Sequence, residues 1–263
     1  MEYSTILLEK TDNIYMLTLN RPASLNPINN QMRLDLLNAI EVISADTTAR
    51  ALIATGAGRA FSSGADLKEK SIEYEPPTGK DEQWLQGFPT RGCLGFHNLG
   101  MPTIAAINGP AIGFGCAFSL AFDIRIASEN AKISTGFVNM GLVPGFGLTY
   151  FLPRLIGAAK ACELALTGKT IDAHEAKDIG LVNQVVPPDE LMPTAISLAQ
   201  TLAQKPPIAV KLTKQALYKG MENDLAAQLE LQELLLPLSA QTEDFKEAVQ
   251  AFKEKRKPVF KGK

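Results

Sequence analysis

The stretch Asn108-Gly109-Pro110-Ala111-Ile112-Gly113-Phe114-Gly115-Cys116 joins an apolar run, Pro102 to Ile107, to a helical run, Cys116 to Phe122. Glycines at a strand-to-helix junction let the backbone approach a ligand. The helix start also offers N–H groups that find no partner within the helix. One reading is a dinucleotide site, because Gly113-x-Gly115 follows a strand and opens a helix. Against it, Phe118 fills the third glycine position, and Glu129 follows too soon to be the ribose-binding acid. A second reading gives the glycines a tight turn and nothing more. A third pairs this loop with another.

That other loop is Phe61-Ser62-Ser63-Gly64-Ala65-Asp66-Leu67, which follows the compact apolar run Ala51 to Gly56. Its small residues allow the N–H of Ala65 to be presented to a ligand. Two N–H donors converging on one carbonyl oxygen form an oxyanion hole, in which a single donor is worth about 2.7–4 kcal/mol.

Working outward, Ile14 to Leu19 reads as a strand that ends at the turn Asn20-Arg21-Pro22. Met32, Leu36, Ile40 and Ile43 make one apolar stripe of a helix. Residues 71 to 90 read as a polar loop, with Pro76, Pro77, Gly79 and Pro89 and a short helix near Trp84. DIRIAS (123–128) and AKIST (131–135) are strand candidates before the loop GLVPGFG (141–147). Helices are expected over Ala158 to Leu166 and Ala173 to Asp178, with a last strand in GLVNQVV (180–186). From Asp189 onward nearly everything reads as helix, broken at Pro206-Pro207 and at Pro237. Alternating strands and helices predict an α/β core.

Composition narrows the function classes. The chain has 263 residues, 46% apolar and 21% charged, enough for a full core and typical of a globular protein. A net charge of −2 leaves no nucleic-acid footprint. Cys93, Cys116 and Cys162 are odd in number and far apart, and His97 and His174 are the only histidines. Such sparse ligands predict no metal site, and the cysteines predict no disulfide framework. The absence of a signal-like start or a membrane-length apolar run predicts an intracellular, cytoplasmic protein with no membrane partner.

Asn20-Arg21-Pro22, Gly58-Arg59-Ala60-Phe61-Ser62-Ser63-Gly64-Ala65-Asp66-Leu67-Lys68-Glu69 and Asn108-Gly109-Pro110-Ala111-Ile112-Gly113-Phe114-Gly115 resemble, in order and spacing, the signatures of the crotonase (enoyl-CoA hydratase/isomerase) superfamily. Gly141-Leu142-Val143-Pro144-Gly145 and Glu175-Ala176-Lys177-Asp178-Ile179-Gly180-Leu181-Val182 extend the likeness over essentially the whole chain. The resemblance implies a spiral of ββα units over 1–196 that binds acyl-CoA. Residues 197–263 would form a C-terminal helical region that assembles trimers or dimers of trimers. It implies an oxyanion hole from the backbone N–H groups of Ala65 and Phe114. Ala65, Asp66, Leu67 and Lys68 would lie along the coenzyme A moiety, and Lys255 near its nucleotide. Arg21, Lys70, Lys253, Arg256 and Lys257 are further candidates for its phosphates. No cofactor is implied, coenzyme A being part of the substrate. Ser62 and Ser63 read as turn residues rather than nucleophiles.

The sequence departs from the family's hydratases at the acid–base positions. The two glutamates are replaced by Ala117 and Phe137, and the loop position used by several isomerases and a dehalogenase branch is Gly145. None of these can carry a proton, a service worth roughly 10²- to 10⁴-fold per group. Glu73, Glu75, Asp81 and Glu82, with Tyr74, His97 and Asn139, are the remaining polar candidates; Asp123 reads as a cap or ion-pair partner. The pocket reads apolar: Phe114, Ala117, Phe137, Val138, Phe146. The expectation is an acyl-CoA lyase or isomerase that stabilises an enolate without ordinary water addition. The alternatives are a decarboxylase, an isomerase using a loop residue, or a non-catalytic acyl-CoA binder.

Overall fold

The computed structural model describes residues 3–68 and 87–263. The first hairpin pairs β1 (Ile6–Thr11) antiparallel with β2 (Ile14–Leu19). β2 alternates between buried Tyr15, Leu17, Leu19 and their more open neighbours, the period-2 mark of a strand with one covered face. α1 (Asn30–Ala45) starts where the Asn29 side chain accepts the Met32 N–H at 2.9 Å, and it buries Met32, Leu36 and Ile43 along one stripe.

β3 (Ala51–Gly56) is buried at every residue because parallel neighbours and helices cover both its faces. β4 (Thr103–Ile107), β6 (Ile124–Ser128) and β9 (Gln184–Val186) continue the six-stranded sheet in the order β1-β2-β3-β4-β6-β9. β5 (Ala111–Ile112), β7 (Lys132–Ser134) and β8 (Thr170–Asp172) form a second, three-stranded sheet.

Strand parity sorts the core. Leu52 and Ala54 face α1 and α2 (Phe88–His97) in the larger cluster. Ala51, Ile53, Ile104, Ala106 and Ile126 face the other way. There α7 (Leu191–Ala203) covers them with Leu191, Ala195 and Ala199, spaced four apart on one helix face. Full burial of Ile53 or Ile104 is worth about 1.5–3 kcal/mol each.

Between these lie α3 (Phe114–Leu120), α4 (Leu148–Ile156), α5 (Ala158–Thr167) and α6 (Ala173–Asp178). α8 (Pro207–Gly220), α9 (Leu225–Ala240) and α10 (Glu243–Glu254) complete the chain. Asp123 docks α8 on the sheet. Its carboxylate accepts Thr103 N at 2.7 Å, Lys214 Nζ at 2.9 Å and the Tyr218 hydroxyl. The ion-pair role expected of Asp123 is the one observed.

Three local expectations change. Residues 88–90 begin α2 rather than ending a loop, since proline in a first turn costs the helix no internal hydrogen bond. The sequence reading assigns no element to residues 148–156, where α4 forms with Pro153 inside it and buries Leu148, Phe151 and Leu152. The break at Pro206-Pro207 is observed, but Pro237 lies inside α9 instead of breaking it, and further breaks fall at residues 221–224 and 241–242. The short helix near Trp84 lies outside the described residues.

Candidate active site

The two glycine-bearing loops meet. Ser62 N–H donates to Pro110 O, and Ile112 N–H donates to Ser62 O, both at 3.0 Å, a parallel bridge that lays residues 62–65 along residues 110–114. The approach is tight. A Cβ on Gly64, whose φ is +105°, would lie 2.9 Å from Ile112 O and 3.7 Å from Phe114 N. One on Gly115 would lie 2.5 Å from Ser62 O. Contacts this short exclude any side chain at either position.

Parity within the ladder then aims the Ala65 N–H. Ile28 N–H donates to Gly64 O at 2.7 Å, and Asp66 N–H donates to Ile28 O at 3.1 Å. Residues 64 and 66 therefore turn those groups toward Ile28, and the N–H of Ala65 between them points to the opposite edge. That edge is the one bordered by Phe114. Phe114 is the first residue of α3, so its N–H has no acceptor in the helix; the first helical bond runs from Ala117 N–H to Gly113 O. Neither N–H has an acceptor among the described residues. Ala65 is exposed and Phe114 half-buried.

Side chains fasten the first loop. Ser62, fully buried, donates its hydroxyl to Asn26 O at 2.8 Å and accepts Gly64 N–H at 3.2 Å, the turn role read from the sequence. Arg21 pairs with Asp66 at 2.7 Å, and its hydrogen bond to the carboxylate is the main cause that holds Asp66 below the usual carboxylate range. The other Asp66 oxygen accepts Lys68 N–H at 3.1 Å. Sequence reasoning missed Asn26. With φ of 54° and no exposure, it accepts Arg21 N–H and donates to Ala57 O and Ala60 O. The signal was there in Asn26-Pro27, a turn-forming pair.

The remaining candidates scatter. Leu67 and Lys68 are exposed beside Ala65. Lys255 caps α10 in the left-handed region, exposed, and no ion pair holds it among the described residues. Arg256 is committed to Glu247 and Glu254. Ala117 is fully buried, Phe137 half-buried against the core, and a Cβ at Gly145 would meet nothing within 4 Å. His97 lies against Phe151 and Tyr218, and burial, reinforced by Lys214, lowers its pKa. Asn139 is exposed and donates to Gly168 O at 3.3 Å. Lys70, Glu73, Tyr74, Glu75, Asp81 and Glu82 lie outside the described residues. Among the described residues, no three His, Cys, Asp or Glu side chains gather as a metal site, and no helix is long and apolar enough to cross a membrane.

Comparison with known proteins gives a uniform result. Residues 9–263 match the model of the family described as Enoyl-CoA hydratase/isomerase. A short-chain-enoyl-CoA hydratase from Clostridium acetobutylicum is 40% identical over 98% of this chain and 97% of its own length. A 1,2-epoxyphenylacetyl-CoA isomerase from Escherichia coli is 37% identical over 100% of both chains. The crystal structure of an enoyl-CoA hydratase from Bacillus anthracis superposes with a TM-score of 0.92 at 37% identity, covering 99% of this chain and 100% of that one.

Proposed function

The chain belongs to the enoyl-CoA hydratase/isomerase family of the crotonase superfamily, and from that premise we propose that it binds an acyl-CoA thioester and stabilises its enolate between the N–H groups of Ala65 and Phe114. The observation that carries this reading is the pair of acceptor-free N–H groups on loops pressed together at Gly64. Donors already fixed before charge develops need no reorganisation when it does. Leu67 and Lys68 flank the same opening and suit the coenzyme A moiety, with Lys255 for its nucleotide; Asp66 contributes by locking the loop to Arg21.

Ala117, Phe137 and Gly145 leave the pair without the acid–base groups that add water across a double bond. The reaction that fits is one that reaches the enolate without a base. In decarboxylation, the electrons of the broken C–C bond pass into the thioester, the negative charge gathers on the oxygen held by the two amides, and a proton from water later reaches the α-carbon. Isomerisation by a loop residue, with Glu73, Glu75, Asp81 and Glu82 among the candidates, is the second route. The same vacancy of acids favours a rival reading, a binder with no turnover.

Self-association through the C-terminal region, as a trimer or dimer of trimers, belongs to this proposal, with the division set at 196/197. α9 buries none of its residues and exposes Leu225, Leu229, Leu234, Leu236 and Leu238, a surface that needs a cover.

The test is calorimetric and kinetic. Thioesters should bind more tightly than free coenzyme A, and a malonyl-type thioester should lose CO₂. Crotonyl-CoA hydration at ordinary enzymatic rates, ~1 to 10³ per second, would refute the account of the missing acids. Binding with no turnover of malonyl-type or enoyl thioesters would establish the binder.

A further inference from the structure

Resting on that reading, we propose that Phe114 sets acyl specificity: its ring, pinned by Phe88 and Phe146, walls the acyl side of the amide pair and selects a thioester whose acyl group carries an aromatic ring. Phe114 supplies both the donor and the ring, so the wall stands within one side chain of the carbonyl it would hold. The three rings all touch one another, and Phe146 also meets Phe118 at 6.0 Å. Phe114 lies 5.8 Å from Phe88, nearly parallel at 21°, and 4.7 Å from Phe146 at 57°, while Phe88 and Phe146 are 5.6 Å apart. Phe88 and Phe146 are buried and Phe114 is half-buried, the least buried residue of the three.

The wall cannot fall back. The α2 backbone presses on it at Gly92, where a Cβ would come within 2.8 Å of Phe88 Cε2 and 3.1 Å of Phe146 Cε2. Phe146 is held at φ of +52°, a conformation that costs a bulky L-residue energy. Fixed aromatic faces gain more from an offset or edge-on ring than from a methylene chain of equal carbon count, and a linear chain also loses rotor entropy against them.

Calorimetry on the full chain separates the outcomes. The probes are phenylacetyl-CoA, cyclohexylacetyl-CoA and octanoyl-CoA, matched in acyl carbon count, with free coenzyme A as reference. Phenylacetyl-CoA should bind about 2- to 12-fold more tightly than either counterpart. Phe114→Leu, which keeps the amide, should abolish that preference, and Phe114→Tyr should retain it. Octanoyl-CoA binding as tightly as phenylacetyl-CoA in the wild-type protein, or a preference that survives Phe114→Leu, overturns the aromatic wall while leaving thioester binding intact. Should no thioester exceed free coenzyme A, the underlying reading fails as well.

Discussion

Replacing Phe114 by proline takes away one backbone N–H at a position where the helix loses nothing by it. Phe114 opens α3, and proline is favoured at a first helical residue. The preceding residue, Gly113, has no Cβ to clash with a following proline ring. Phe114→Ala serves as control, since it removes the same ring and keeps the amide. Each hydrogen bond to a neutral carbonyl is worth about 0.5–1.5 kcal/mol net, so two of them favour a thioester over the thioether lacking the carbonyl by roughly 5- to 150-fold. The assay is the ratio of the two Kd values by calorimetry. Phe114→Ala should keep the wild-type ratio, and Phe114→Pro should cut it to about its square root, as one donor of two remains. If turnover is found, kcat/KM should fall a further 10²- to 10³-fold in the proline variant, because charge on the oxygen strengthens the lost bond. A wild-type ratio in Phe114→Pro would refute the oxyanion reading outright.

Other outcomes test the parts around the site. Gly64→Ala puts a Cβ 2.9 Å from Ile112 O at φ of +105°; it should cost about 1–3 kcal/mol in urea unfolding and weaken thioester binding more than free coenzyme A binding. Asp123→Ala leaves the Lys214 ammonium without its carboxylate in a largely buried place, with only Met101 O to accept from it, and should destabilise by about 2–4 kcal/mol in denaturant melts, with Lys214→Met much milder. Asp66 has a depressed folded pKa, so its contribution is fully present above the unfolded value of about 3.9 and is lost as pH falls through the lower folded value. Wild type should therefore exceed Asp66→Asn in thermal stability near neutral pH, the gap closing only in acid; a gap that persists there would show that the carboxylate's charge is irrelevant.

Local pattern carried much of the architecture. The alternation of Ile14–Leu19, the unbroken apolar run of Ala51–Gly56 and the stripe Met32-Leu36-Ile43 each record, over a few residues, which face is to be covered. The loops at Gly64 and Gly113 were legible for a similar reason: small residues after a strand mark a close approach. Propensity was a poor guide at both internal prolines, and packing within the chain accounts for only the first. α4 forms despite Pro153 because its apolar face is buried, and Pro237 is carried inside α9.

The sequence by itself determined the α/β alternation, the family likeness, and that none of Ala117, Phe137 and Gly145 is an acid. Only the tertiary structure decided that residues 62–65 lie along 110–114, that the Ala65 N–H faces the Phe114 edge, and that Phe88 stacks on Phe114. Burial preference is a property of single residues and leaves a local trace. The direction of an N–H group depends on which neighbour takes the alternate hydrogen bonds, and that partner, Ile28, comes from a distant part of the chain brought alongside by the fold.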